Sequence, residues 1–182
     1  FVVRSTARQP TEAPAIRPAD TLDEAWRHVM HAQLAAMLAH QPLAALGSDP
    51  AAIHQMRVAT RRMRAALGVF SPALNDDALT AVRTGLKDTA RLLGAVRDLD
   101  VLLAGLAAYT GELPEPARAE LTPLADTWAG RRRAAHAELA RHLHSRHFRQ
   151  FADGLRTVTR AAGEPAGGPP ARVLEAAPGA IY

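Results

Sequence analysis

Residues 53–70 combine a helical period of apolar residues with a polar face on which every charge is positive. On a wheel of about 100° per residue, four basic side chains share an arc of roughly 80°: His54, Arg57, Arg61 and Arg64. The opposite side carries Ile53, Met56, Thr60, Met63, Leu67 and Phe70. No acid occurs between Asp49 and Asp76, whereas solvated helix faces usually mix both signs of charge. The segment therefore predicts an amphipathic helix whose exposed face attracts a long polyanion.

The spacing of these basic residues fits an extended ligand. At 1.5 Å per residue, the row from His54 to Arg64 spans about 15 Å, with a basic group roughly every 5 Å. This geometry suits successive phosphates on one strand better than a single small anion. The alternative is a basic solvated face that has no specific ligand.

Composition favours closely packed helices. Hydrophobic residues make up 48% of the 182 residues but aromatic residues only 4%, so the core must consist mainly of Ala, Leu and Val. A β-sandwich would need more aromatic and β-branched residues. The chain has no cysteine, which excludes disulfides and thiolate metal sites and favours a reducing cytoplasm. No apolar run approaches the ~20 residues that span a bilayer, so no membrane association is predicted.

Arginine dominates the positive charge. The formal net charge is +4 and the sequence pI is about 10.5, and Lys87 is the only lysine. Guanidinium groups stay charged at any relevant pH and pair with phosphate in a bidentate manner. Because GC-rich codon usage raises Arg and Ala together, the positions of the arginines carry more weight than their number.

Caps and breaks predict an all-α antiparallel bundle of about five helices joined by short loops. Thr21-Leu-Asp-Glu24 has the pattern of a capping box, and the helix it begins is expected to run to about His40, before Pro42. The second helix begins after Ser48-Asp49-Pro50 and ends at Ser71-Pro72. The third is expected from Asn75-Asp76 to about Tyr109, the fourth over roughly 117–143, and the fifth after a cap at Ser145.

The third predicted helix carries a second basic row. Arg83, Lys87 and Arg91 lie at i, i+4 and i+8, and Gly94 and Asp98 continue the same face. A glycine inside a helix costs about 0.5–1 kcal/mol relative to alanine. Gly94 is therefore expected to allow the close approach of a neighbouring helix or of a ligand.

Two acids of this helix are predicted to hold arginines in place. Asp98 faces the basic row, where it could orient Arg91 or a residue of the second helix. Asp100 falls on the apolar side and needs a buried partner, for which Arg97 or an arginine of the second helix is expected. On the fourth helix, Arg132 lies beside the apolar stripe and could reach inward, which makes it a weaker candidate for the binding site than the second-helix arginines.

Two motifs, in this order, resemble the CHAD family, the conserved-histidine α-helical domains. They are Ile53-His-Gln-Met-Arg-Val-Ala-Thr-Arg-Arg-Met-Arg64 and Leu92-Leu-Gly-Ala-Val-Arg-Asp-Leu-Asp-Val101, and the segment 139–148 also fits. The resemblance covers about residues 21–162 and implies a helical bundle that binds inorganic polyphosphate in a basic groove without catalysing a reaction. The ligands that it implies are His54, Arg57, Arg61, Arg62 and Arg64, together with Lys87, Arg91 and Arg97.

The chain departs from the family pattern in its extent. Such domains usually contain two similar four-helix halves, and residues 163–182 are interpreted as a Gly/Pro-rich segment leading to a truncated second half. The groove would then be completed by that half or by a dimer. The family often follows a triphosphate-tunnel (CYTH) catalytic domain, and residues 1–20 are interpreted as a linker or the remnant of an upstream region. A cytoplasmic protein associated with polyphosphate granules is expected.

Two other functions compete with polyphosphate binding. Nucleic-acid binding is weakened by the scarcity of aromatic residues that could stack on bases and by the lack of a recognition-helix motif. A phosphohydrolase would need a metal ion held by carboxylates, but Asp98 and Asp100 point to different faces. The histidines around the junction of the last two helices form no tetrahedral set and are predicted to be surface residues: His142, His144 and His147. No metal or cofactor is expected.

Overall fold

The computed structural model describes residue 17, residues 19–70 and residues 76–160. These residues form five α-helices and no strand, which confirms the predicted all-α bundle: α1 Leu22–Leu46, α2 Pro50–Phe70, α3 Asp76–Gly111, α4 Glu115–His144 and α5 Arg146–Arg160. The predicted breaks at Ser71-Pro72 and Asn75 lie outside the described residues. The same holds for the segment 163–182 and for most of the segment 1–20.

The predicted N-terminal caps of three helices are present. At the start of α1, the Thr21 hydroxyl accepts a hydrogen bond from the Glu24 N–H (3.2 Å), and the Glu24 carboxylate accepts one from the Thr21 N–H (2.8 Å). The bond from the backbone of Thr21 lowers the pKa of Glu24. Asp49 caps α2 by accepting from the Ala51 N–H at 2.8 Å. The Ser145 hydroxyl caps α5 by accepting a bond from a backbone N–H at 3.0 Å.

The predicted end of the first helix near His40 is wrong, because α1 continues through Pro42 to Leu46. Proline removes one helical hydrogen bond, but the turn that follows is held by tertiary contacts. Ala44 is fully buried within the core. The helix ends instead at Gly47, whose φ of 72° is left-handed and whose N–H donates to the Leu43 carbonyl at 3.1 Å.

The core occupies one end of the bundle. α1 packs on α2, α2 on α3, and α5 against α1, α3 and α4. Buried residues of α3 end at Val96 and those of α4 begin at Leu139, and each residue from 97 to 138, taken as a whole, is half-buried or exposed. We call residues 97–138 the distal hairpin; its α3 arm extends 15 residues, or roughly 22 Å, past Val96. Within the described residues, no helix is both long enough and apolar enough to cross a bilayer.

Candidate functional site

The exposed face of α2 carries the predicted basic row. The side chains of His54, Arg61 and Arg64 are exposed, and that of Arg57 is half-buried. We call these four residues the α2 ladder. Arg62 is also exposed, but it lies about 80° around the helix from His54, on the other edge of the same face. The apolar side of the helix is in the core, as its pattern predicts: Ile53, Met56, Thr60, Met63 and Leu67 are all buried.

No described residue neutralises the charges of the ladder residues. Within the described residues, neither they nor Arg62 form a hydrogen bond or an ion pair, because α2 has no acid and no acid of a described neighbour reaches them. Other arginines have acidic partners, as in the pairs Arg118–Glu115 and Arg156–Asp153. The guanidinium groups of the ladder therefore keep their donors for an external anion.

The basic residues of α3 occupy different environments. Lys87 is exposed and Arg97 is half-buried, and neither has an ion-pair partner among the described residues. Arg91 instead faces α4, where its Nη2 atom lies 3.4 Å from Oε1 of Glu138. Because both of these side chains are more than half exposed (64% and 51%), the pair contributes little to stability, and Arg91 can exchange Glu138 for another anion.

The predicted roles of the two acids need correction. Asp98 is exposed and forms no ion pair with any described residue, so it does not orient Arg91. Asp100 is held neither by Arg97 nor by an arginine of α2. Its Oδ1 atom accepts a hydrogen bond from Nε of Arg132 at 2.8 Å. Antiparallel packing of α4 on α3 brings Arg132 to the buried carboxylate, which is only 7% exposed and requires a cationic partner.

Arg132 reaches inward, as its position beside the apolar stripe predicts. Its side chain is 19% exposed, and its Nη2 atom also donates to the Gly47 carbonyl at 3.3 Å. Two of its donors are therefore used inside the protein. Arg132 therefore differs from the ladder residues, which form no hydrogen bond or ion pair with any described residue.

No described helix packs closely against Gly94. A Cβ atom built at this position meets no described atom within 4 Å, although the residue is half-buried. Among the described residues, no helix makes the predicted close approach. The close approach of a ligand remains a prediction.

Of the histidines at the junction of α4 and α5, His144 and His147 are exposed, as predicted, but His142 is half-buried. Nε2 of His142 and the Thr89 hydroxyl share a hydrogen bond at 3.0 Å, and the His142 ring meets the edge of Phe148. Burial lowers the pKa of His142, and the nearby His147 and Arg91 lower it further. Among the described residues, no group of three or more His, Asp or Glu side chains is arranged to hold a metal ion.

The family model for the CHAD domain matches residues 28–181. This chain belongs to the CHAD family. It is also similar to the crystal structure of the CHAD domain from the plant Ricinus communis, with 25% sequence identity and a TM-score of 0.62. The match covers 85% of this chain and 52% of the plant chain, so this chain spans about half the length of that structure. No curated protein sequence matches it.

Sequence reasoning missed two residues of this CHAD-family chain that organise the region around Asp100. His136 donates a hydrogen bond from Nε2 to the Ala44 carbonyl at 3.0 Å. Gly47 lies directly against the ring of His136. Two features of the sequence could have indicated them. Arg132 and His136 are four residues apart and so share one side of α4, and Gly47 directly follows the apolar residues that end α1.

Proposed function

We propose that this chain is a binding module for inorganic polyphosphate that catalyses no reaction. The observation that carries the proposal is the α2 ladder, a row of basic side chains about 15 Å long in which no member has an acidic partner among the described residues. A phosphate chain can neutralise such a row without displacing any contact that the described residues make. Membership of the CHAD family supports the same reading, because the resemblance of its motifs implies polyphosphate as the ligand.

The proposed ligands come from two packed helices. α3 packs against α2, and we propose that its cations extend the basic surface of the ladder. Arg91 would exchange its weak pair with Glu138 for a phosphate, whereas Arg132 would contribute only through N–H groups not used by Asp100 and Gly47. The main set is His54, Arg57, Arg61, Arg62 and Arg64 of α2 with Lys87, Arg91 and Arg97 of α3.

The two acids are assigned no chemical step. Asp100 is bound to Arg132, and Asp98 is exposed on a different side of α3. Hydrolysis of phosphate by a metal-bound water would require carboxylates that converge on one ion. Binding alone is therefore the function that these residues support best.

The α2 ladder and the α3 cations would form only part of the binding groove. Since this chain spans about half of the plant structure, we propose that a second half or a second copy completes the groove. A CYTH-type domain upstream would supply phosphate chemistry that these residues lack. A cytoplasmic location at polyphosphate granules follows from the proposed ligand.

The direct test is a titration of the chain with long-chain polyphosphate over a series of salt concentrations. If six to eight phosphates are neutralised, the logarithm of the binding constant should fall with the logarithm of salt concentration with a slope of about −4 to −6. RNA and DNA at equal phosphate concentration should not displace the ligand. Absence of binding at low salt would refute the proposal, and displacement by RNA would favour a nucleic-acid-binding module.

The Gly94→Ala variant tests whether the ligand lies close to α3. The Gly94→Ala variant should gain about 0.5–1 kcal/mol in free energy of unfolding, because no described atom opposes the new methyl group. If polyphosphate passes close to α3 here, its affinity should fall roughly threefold. Gly105→Ala on the distal hairpin is the matched control, since that position is equally open and carries no proposed ligand. Equal affinity of the two variants would place the ligand away from Gly94.

A further inference from the structure

Two side chains of α4 cap the end of α1. Nε2 of His136 donates to the Ala44 carbonyl at 3.0 Å, and Nη2 of Arg132 donates to the Gly47 carbonyl at 3.3 Å. The last carbonyls of a helix have no donor within the helix itself. Donors from a different helix therefore satisfy the end of α1, and they fix where it stops relative to α4.

The residue at this turn must be small. Gly47 has a φ of 72°, a backbone conformation that L side chains rarely adopt, and a Cβ atom there would overlap the His136 ring. The ring can lie against the backbone only because the side chain is absent. The turn between α1 and α2 is therefore held against α4 by contact as well as by hydrogen bonds.

The same arginine joins this turn to α3. Nε of Arg132 donates to Oδ1 of Asp100 at 2.8 Å, and the carboxylate is only 7% exposed. The other oxygen of Asp100 is buried and has no hydrogen-bond partner among the described residues. Arg132 is therefore the one described residue that neutralises the negative charge of Asp100. A carboxylate buried in this way would lose much of its stabilisation if the arginine moved. We call Gly47, Asp100, Arg132 and His136 the α4 clamp.

The clamp lies next to the start of the proposed binding helix. α2 begins at Pro50, three residues after Gly47, and the first ladder residue is His54. On α3, Arg97 lies one turn before Asp100. The buried core holds α2 and α3 together as far as Val96, and no residue of the distal hairpin beyond the clamp adds to that core.

We propose that Asp100 and Arg132 are positioning residues that hold the α2 ladder in register with the cations of α3, an inference that rests on the proposed function. Asp100 acts through Arg132 and touches no phosphate itself. Arg132 sets the start of α2 through the Gly47 carbonyl. A polyphosphate chain then meets cations of both helices along one continuous path.

The test uses Asp100→Asn, because a pure effect of charge and a positioning role predict opposite changes in the affinity for polyphosphate. Removing an acid beside a basic surface should tighten polyanion binding if only charge matters. If Asp100 positions the ladder, the variant should bind polyphosphate about tenfold more weakly although its net charge rises by one. Affinity is measured well below the melting temperature of each variant, with helical content checked by circular dichroism, so that a loss of stability alone leaves the affinity unchanged.

The matched control is Asp153→Asn on α5. It makes the same change of charge and removes the acid of another Asp–Arg pair, with Arg156, far along the chain from the ladder. Its affinity should equal or slightly exceed that of the wild type. The conservative variant Asp100→Glu keeps the carboxylate and should recover most of the affinity that Asp100→Asn loses.

Arg132→Lys covers the case in which Asp100→Asn does not fold. Lysine keeps the charge but lacks the fork that reaches Asp100 and Gly47 together, so this variant should also bind more weakly. If the wild type binds while both variants bind as tightly as Asp153→Asn, the positioning role is wrong and the proposed function stands. If the wild type itself does not bind polyphosphate, the proposed function fails and the positioning role fails with it.

Discussion

The double variant Arg57→Ala/Arg61→Ala should bind long-chain polyphosphate about a hundredfold more weakly than the wild type at moderate salt, because two charge-assisted contacts of roughly 1.4 kcal/mol each are lost. Both residues belong to the α2 ladder, and neither has a partner among the described residues that would be left unpaired. Alanine is the best helix former, so α2 should persist. The slope of affinity against salt should become shallower by about 1.4, roughly 0.7 for each phosphate contact that is lost.

A control variant that loses the same charge elsewhere distinguishes a specific binding site on α2 from general electrostatic attraction. Arg146 and Arg160 lie at opposite ends of α5, and both are exposed. Their replacement by alanine lowers the net charge by two, as the ladder variant does, but removes no proposed ligand. Its affinity should stay within about twofold of that of the wild type. An equal loss in both double variants would mean that net charge attracts the ligand and that α2 holds no site.

The features that could be predicted from the sequence are those set by residues close together in the chain. The caps at Thr21, Asp49 and Ser145 each involve a partner no more than three residues away. The faces of α2 follow from the helical period alone. For this reason the ladder could be placed on an exposed face before any neighbour of α2 was known.

The end of α1 could not be predicted in this way. Pro42 is a local signal for a helix end, but its cost of about 3 kcal/mol can be offset by packing of the turn that follows. Ala44 and the capping of its carbonyl by His136 supply that packing, and His136 is 92 residues further along the chain. The decisive contact is tertiary, so the local signal gave the wrong residue.

The partner of Asp100 could not be predicted for the same reason. Its position on the apolar side correctly predicts that the carboxylate needs a buried cation. The choice among cations depends on which helix packs against that side of α3, and Arg132 is 32 residues away. Arg97, although only one turn away, is half-buried without contacting Asp100. Periodicity places a residue on a face, but it does not identify the neighbouring helix.

Gly47→Ala should lower the free energy of unfolding by about 2–5 kcal/mol, a large effect for the addition of a single methyl group. About 1–2 kcal/mol comes from forcing an L side chain into the left-handed backbone conformation at φ 72°. A further 1–3 kcal/mol, approximately, comes from the overlap of the methyl group with the His136 ring, which must move and thereby weaken its bond to Ala44.

Urea denaturation followed by circular dichroism measures this loss, and Gly105→Ala gives the comparison. At Gly105 the backbone is helical and a Cβ atom meets no described atom within 4 Å, so alanine should add about 0.5–1 kcal/mol. Two substitutions of identical chemistry should thus shift stability in opposite directions. If Gly47→Ala were as stable as the wild type, His136 could not lie against this turn, and the α4 clamp would lose the contact that fixes the start of α2.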